Sequence, residues 1–364
     1  MEPVTHFLYG ATMSRAGFTR KTALATLTMT LAAEAPDIDM LWYFNGSAVG
    51  FVRHRGFTHT VFGIPVVAAL VLVLVFSLNY IYRRWRPLKP PSESSAPRLL
   101  PRWGLLYGLA CFAGYSHLLL DFTNNYGIRP LWPIVNRWIA WDIVYIIDPV
   151  ILVFLIAGLV LPALFGLVNS EIGARTRGPR GRGGAITALV LVAIYWGVRD
   201  FEHRSAVAAM ESVMFHDKVP TRVAAFPYQI NPFKWFGVAE TDKTYESVIV
   251  NSSTPEVDSQ GAEQTYYKPP DSDVIRAAES TYLGGAFIDW GRFPIIEVEK
   301  RESPVMYIVS FRDIRFAYPE RRGVPLSAYV VLNSNLRAVD QGFYSRNPVK
   351  NRMESTSPED EQKP

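Results

Sequence analysis

Residues 61–82 read VFGIPVVAALVLVLVFSLNYIY, a run of 22 positions without a charge. A bilayer core needs about 20 apolar residues in a helix to cross it, so this stretch reads as a membrane span and sets the fold class of the N-terminal half. Three further runs follow the same logic. Residues 104–120, GLLYGLACFAGYSHLLL, end beside Asp121, and residues 149–168, PVILVFLIAGLVLPALFGLV, carry no charge. Residues 185–198, AITALVLVAIYWGV, are short and fit a tilted or partly shielded span. Upstream, the apolar stretch 22–33 runs into Glu34, Pro36, Asp37 and Asp39, and residues 4–13 can fold back against it and bring His6 to the same level. The expected architecture is an α-helical polytopic membrane domain of about four to five membrane helices over residues 1–204. A small, mainly antiparallel β domain outside the membrane follows over 205–350, then a disordered tail over 351–364.

The averages over 364 residues, 49% hydrophobic and 19% charged, hide that division. The net charge of +4 gathers in short loops, and no basic patch is interleaved with stacking aromatics, so a nucleic-acid partner is excluded. Cys111 is the one cysteine, which excludes an internal disulfide and a thiolate metal site. Glu2 and the lack of a long apolar core in the first twenty residues do not fit a signal peptide. Arg83, Arg84, Arg86, Lys89, Arg98 and Arg102 in one loop, and Arg175, Arg177, Arg180 and Arg182 in another, place both loops in the cytoplasm. Residues 37–60, 121–148 and everything after about 200 then face outward.

That orientation rests on Lys and Arg alone, yet it gathers the other ionisable groups. His6, Asp37, Asp39, His54, His59, His117, Asp121 and Asp148 all fall on the outer side. His117 and Asp121 are four apart and project from one helix face, a spacing that grips one metal ion or lets the carboxylate orient the imidazole. In PDID, Asp37 and Asp39 suit a turn with one carboxylate binding and the other supporting. In HRGFTHT (54–60), His54 is expected in a loop and His59 on the first helical turn, with Arg55 placed to hold an anion such as phosphate or a lipid phosphate. Imidazoles with carboxylates and no thiolate suit a divalent metal, zinc first, with manganese or iron as alternatives. Such a metal lowers the pKa of bound water toward 7. His6 reads equally as an interfacial imidazole, and Asp148 before Pro149 fits a helix N-cap better than a ligand. His203 and His216 read as surface residues.

An early His, then PDID, HRGFTHT entering a span, HLLLDFTNNYG and a later IIDP together resemble the YdjM-type inner-membrane family over roughly residues 1–170. Its members are described as predicted membrane-bound metal-dependent hydrolases of the bacterial inner membrane. Carried over, the resemblance implies functional roles for His6, Asp37, Asp39, His54, Arg55, His59, His117 and Asp121, and more loosely for Asn125, Tyr126, Gly127 and Asp148. FTHT stands where many members have a THS-like sequence, and NNYG replaces a serine-containing version, so Asn124 receives no role. A looser similarity, resting on the H-x-x-x-D spacing, is to zinc-dependent phospholipase C and the P1-type nucleases, and it implies phosphodiester substrates.

The C-terminal half contains no nucleophile elbow and no phosphate-binding glycine loop. YESVIVN (245–251), VMYIVSFRDIRF (305–316) and LSAYVVLN (326–333) alternate as strands do, and LNSNLRAV (332–339) reads as a hairpin. FPYQINPFKWFGVAE (226–240) reads as a first strand with an extended lead-in, and FIDWGRFP (287–294) similarly. The leading expectation is a membrane-bound metal-dependent hydrolase acting on an ester or phosphodiester, with a lipid or lipid-linked substrate taken from the bilayer. His6, Asp39, His54, His59, His117 and Asp121 are its candidate metal ligands. Asp37 is the candidate base, sharing that possibility with Asp39 and Asp121, and Arg55 the group that stabilises developing negative charge. The alternative is a non-enzymatic membrane protein that binds metal for structure or sensing. A transporter is disfavoured because the middles of the spans lack ionisable groups.

Overall fold

The computed structural model describes residues 1–86, 99–171, 181–254, 257, 264–320 and 324–344, with only the backbone of 165–171. Lys89, Arg98, Arg175, Arg177 and Arg180, used above for orientation, and the tail 351–364 lie outside the described residues.

Helices α1 (Pro3–Arg15) and α2 (Ala25–Glu34) form a hairpin. They cross at Gly10, where a Cβ would lie 2.8 Å from Ala33 Cβ and 2.8 Å from Met29 O, so only glycine admits the approach. Irregular 3-10 structure over Ala35–Asn45, helix α3 (Ser47–Arg53) and a 3-10 turn at Phe57–His59 lead into α4 (Gly63–Trp85) and α5 (Trp103–Thr123). Helices α6 (Pro149–Glu171) and α7 (Arg182–Glu211) complete the helical half. The tip of the α1–α2 hairpin meets the start of α5: Arg102 N donates to Thr22 Oγ1 at 2.8 Å. Both ends of the hairpin therefore return toward the far end of α5.

Among the described residues, α4, α5 and α7 are long and apolar enough to cross a membrane, and α6 adds a shorter apolar stretch, Pro149–Leu164. Helix α4 is apolar all round. Ile64, Val67, Ala68, Val71 and Val75 face the bundle, while Val66, Leu70, Val73 and Leu74 are exposed, the pattern of a helix whose outer face meets lipid. Helices α1 and α2, 13 and 10 residues long, reach only about 20 and 15 Å at 1.5 Å per residue, too little to span. Helices α6 and α7 touch through glycines: a Cβ on Gly158 would lie 2.7 Å from Gly184 O, and one on Gly184 2.7 Å from Gly158 O. Small residues at such crossings are the usual device for close helix packing in lipid.

The C-terminal half holds two four-stranded antiparallel meanders. The first is β1 (Arg222–Pro227), β2 (Lys234–Glu240), β3 (Thr244–Asn251) and β4 (Gln264–Tyr267). Helices α8 (Asp273–Glu279) and α9 (Tyr282–Trp290) intervene before β5 (Pro294–Glu302), β6 (Val305–Asp313), β7 (Ala328–Asn333) and β8 (Ala338–Phe343). Phe226 and Phe236 of the first sheet share a core with Phe293 and Ile295 of the second. The end of α7 packs Ala206, Ala209 and Met210 onto Trp235 and Val248.

Three readings change. The block 226–240 supplies two paired strands, with Phe226 opposite Phe236, instead of one. FIDWGRFP is the end of α9 and the start of β5: Thr281 caps the helix by accepting from Gly284 N at 3.1 Å, which commits the following aromatics to helix. His203 is no surface residue, because α7 carries it beneath β1, where its Nε2 lies 3.1 Å from Ala225 O and its ring 5.2 Å from Trp235. His216 is exposed, as expected.

Candidate metal centre

Each donor arrives on a different element. Asp37 and Asp39 belong to the 3-10 segment after α2, which turns Asp39 inward and leaves Ile38 and Met40 exposed. His54 ends α3 in extended conformation, and Arg55 adopts a left-handed φ of 54°. That unusual conformation for a residue with a side chain aims its backbone N–H at Asp39 Oδ2, at 2.9 Å. His59 closes the 3-10 turn before α4, short of the helix itself. His117 and Asp121 lie one turn apart on α5, and His6 comes from α1.

Four of these groups converge. His59 Nε2 lies 3.1 Å from His117 Nε2, 3.2 Å from Asp37 Oδ1 and 3.5 Å from Asp121 Oδ2. His117 Nε2 lies 3.4 Å from Asp121 Oδ2 and 3.7 Å from Asp37 Oδ1. Ligands bound tetrahedrally at about 2.0–2.1 Å stand roughly 3.3–3.4 Å apart, so this spacing fits one shared cation. Asp37, Asp39 and His54 form a second, overlapping group with donor atoms within 4.8 Å of one another. His6 stacks on His117 with ring centroids 3.7 Å apart and puts Nε2 3.5 Å from Asp121 Oδ1. Both His6 ring nitrogens and Asp121 Oδ2 are buried without a hydrogen-bond partner. Buried polar atoms are rarely left so, and nitrogen and carboxylate donors held like this fit a divalent metal.

The surrounding groups fix the donors. His117 Nδ1 donates to Ala33 O at 2.7 Å, which turns the Nε2 lone pair toward the cluster. Asp39 is fully engaged: Oδ1 meets His54 Nδ1 at 2.9 Å, and Oδ2 accepts from Arg55 N and from Thr58 Oγ1 at 3.0 Å and lies 3.0 Å from His59 Nδ1. This is the geometry of a carboxylate that orients imidazoles. Arg55 is 3% exposed. Its Nη2 donates to Asp121 Oδ1 at 2.7 Å and its Nη1 to Gly127 O at 2.6 Å, and Cζ lies 4.5 Å over the Tyr126 ring. Both terminal nitrogens of the guanidinium are thus engaged by protein acceptors, while Nε is buried without a hydrogen-bond partner. The Met1 amino group also contacts Asp121 Oδ1. Asp148 belongs to neither group: Oδ1 caps α6 at Val150 N and Ile151 N, and Oδ2 accepts from Tyr195.

Burial pushes the Asp37 and Asp39 carboxyls up, but their bonds to His59, and for Asp39 to His54, outweigh it and hold both well below the usual range. Burial would also lower the His59 imidazole, yet Asp37 and Asp39 hold it above its ordinary value. His54 stays below its ordinary value, through burial. Burial, with Asp37 and Glu2 nearby, pushes Glu34 up to about 7. Sequence reasoning passed over Thr58, Glu34 and the Ala33 carbonyl. Thr58, a hydroxyl beside His59, was a readable signal; a backbone carbonyl 84 positions from His117 was not.

A model of the YdjM inner membrane protein matches residues 1–206, which hold every group of the cluster. The chain belongs to the YdjM inner membrane protein family. The uncharacterized protein YfhP of Bacillus subtilis (strain 168) is 29% identical to it over 140 residues, and the chain spans 37% of the length of YfhP with 38% of its own. No solved structure matches. The YdjM match ends inside α7, so both sheets lie beyond it.

Proposed function

We propose that the protein is an inner-membrane hydrolase whose divalent metal is held by Asp37, His59, His117 and Asp121, with His6 and His54 beside them. Its bond to cleave is an ester or phosphodiester of a lipid or lipid-linked molecule. The observation carrying this reading is the convergence of two Nε2 atoms and two carboxylates at 3.1–3.7 Å around a buried carboxylate oxygen without a partner. When bound, a divalent cation supplies Lewis acidity and lowers the pKa of a bound water toward 7; zinc suits this donor set, as do manganese and iron.

The residues have distinct work. Asp39 and the Ala33 carbonyl hold the imidazoles with Nε2 inward. Asp37, at the accessible edge of the cluster, serves as a ligand and not as the base, since its bond to His59 keeps it ionised and weakly basic. Arg55 offsets the charge of Asp121 and stabilises negative charge that develops beside it.

Ile38, Met40, Leu41, Trp42 and Phe44, on the segment that carries Asp37, are exposed. This favours a substrate whose apolar part lies in lipid. Arg83 and Arg84 at the far end of α4 favour a cytoplasmic location for that end, which supports an outward-facing cluster and sheets.

Metal analysis of the purified full chain beside the His59→Ala/His117→Ala double variant tests the centre, and equal, negligible metal in both would refute it. A hydrolase screen with added Zn²⁺ or Mn²⁺ tests the activity. Turnover lost in the double variant supports the enzyme, whereas tight metal without turnover supports a structural or sensing centre.

A further inference from the structure

We propose that a second, anion-binding pocket lies on the other side of Tyr126 and Gly127 from the metal cluster and takes a phosphate group. Its use in selecting a phosphorylated substrate rests on the hydrolase reading; its existence does not. A cavity of about 270 Å³ opens at the seam between the helical half and the sheets. Arg137, Trp138, Arg292 and Arg315 line it together with Tyr126 and Gly127.

The three arginines are not equivalent. Arg315 is 1% exposed and fixed: Nε and Nη2 donate to Asp313, Nη1 to Asn125 O and Nη2 also to Trp290 O. Arg292 engages one nitrogen, Nη1, with both oxygens of Asp142 at 2.9 and 2.7 Å, leaving its other guanidinium edge without a protein acceptor among the described residues. Arg137 is exposed and has no ion pair among the described residues. Asp142 pairs with Arg292 and Asp313 with Arg315, which leaves Arg137 without an ion pair and Arg292 with an open N–H edge among the described residues. Planar guanidinium edges pair with phosphate oxygens through parallel hydrogen bonds, and a cleft lined by one sign of excess charge concentrates an anion.

The pocket shares its wall with the metal centre. Gly127 O is the acceptor that holds Arg55 Nη1, and the Tyr126 ring lies against the Arg55 guanidinium. Arg292 comes from the sheet half and Arg137 from the loop after α5, so each half supplies one of the two cations that read the ligand's charge.

The test uses the metal-free full chain in detergent with a chelator present. Binding of inorganic phosphate is measured by equilibrium dialysis at constant ionic strength, beside dioctanoyl phosphatidic acid as the lipid form of the same group. Saturable phosphate binding that weakens at least tenfold in Arg137→Ala, and is unchanged in the exposed control Arg276→Ala, supports the pocket. Equal affinity for the two ligands identifies free phosphate as the ligand, and tighter Arg137-dependent binding of the lipid identifies a headgroup. Absence of saturable binding of both, or binding that Arg137→Ala leaves intact, overturns the proposal. So does binding lost only in His59→Ala/His117→Ala, since the anion would then be at the cluster. Metal content, measured on the same samples, judges the hydrolase reading separately.

Discussion

At the scale of single residues, the cluster is a set of donors aimed by their neighbours. Asp39 touches four partners and spends both oxygens on them. Asp39→Asn is expected to lower zinc affinity about 10–100-fold, the usual loss when an orienting group is removed, while the helical content stays unchanged; competition with a chelating dye measures the first and circular dichroism the second. His59 sets the pH dependence. Its imidazole is held above its ordinary value, so in the metal-free protein it stays protonated to higher pH than a free histidine. Metal must displace that proton. Apparent zinc affinity should therefore fall as pH drops through the neutral range, with protons released on binding, and calorimetry in two buffers of different ionisation enthalpy counts them. The donors themselves were legible: the four-residue step from His117 to Asp121 and the PDID and HRGFTHT motifs are chemical patterns. The engagement of Arg55 was not, because its acceptors Asp121 and Gly127 lie 66 and 72 positions away and its left-handed backbone leaves no mark in composition.

At the scale of elements, hydropathy located the apolar segments but misjudged where helices end. It saw 14 residues of α7, since it reports the surroundings of a helix and not its length, and the 30-residue helix continues through Asp200, Glu202 and Arg204 into polar sequence. It did not separate the end of α9 from a strand, because a short aromatic-rich helix carries no usable period. The hairpin of α1 and α2 was anticipated, and its weak point is Gly10. Gly10→Leu is expected to overpack the crossing at about 1–3 kcal/mol. It should also draw His6, one turn away, off His117. A lower melting temperature together with reduced metal content checks this, and unchanged values of both would contradict the crossing. Gly158→Val should loosen α6 from α7 in the same way, read as faster proteolysis of the purified chain with the zinc content retained.

At the scale of the whole molecule, the sheets are anchored on the loop that follows α5. Trp290 Nε1 donates to Tyr126 O, Arg315 Nη1 to Asn125 O, and Phe51 of α3 packs against Phe287 and Trp290. The anchor depends on the buried pair of Asp313 and Arg315. Burial pushes Asp313 up, but Arg315 and the backbone N–H groups of Arg315 and Arg292 outweigh it and hold the carboxyl below its ordinary value. A depressed folded value means the pair contributes fully above the unfolded value of about 3.9, and the contribution is lost as pH falls through the folded value. Asp313→Asn is expected to cost about 3–5 kcal/mol at pH 7 and to make the loss of stability below pH 4 shallower, as measured by denaturant unfolding across pH. An antiparallel β region was legible from alternation, whereas its docking was not, since it rests on backbone carbonyls of Asn125 and Tyr126 that any sequence possesses.

One helix joins these halves without a break. Helix α7 is a single rod of 30 residues, about 45 Å long, with its lower part among apolar helices and its upper part beneath β1 and β2. A thinner bilayer tilts a rod that is too long for it, and a stiff rod tilts along its whole length. Any tilt of this rod is therefore expected to carry β1 and β2 with it, since the end of α7 is packed beneath them.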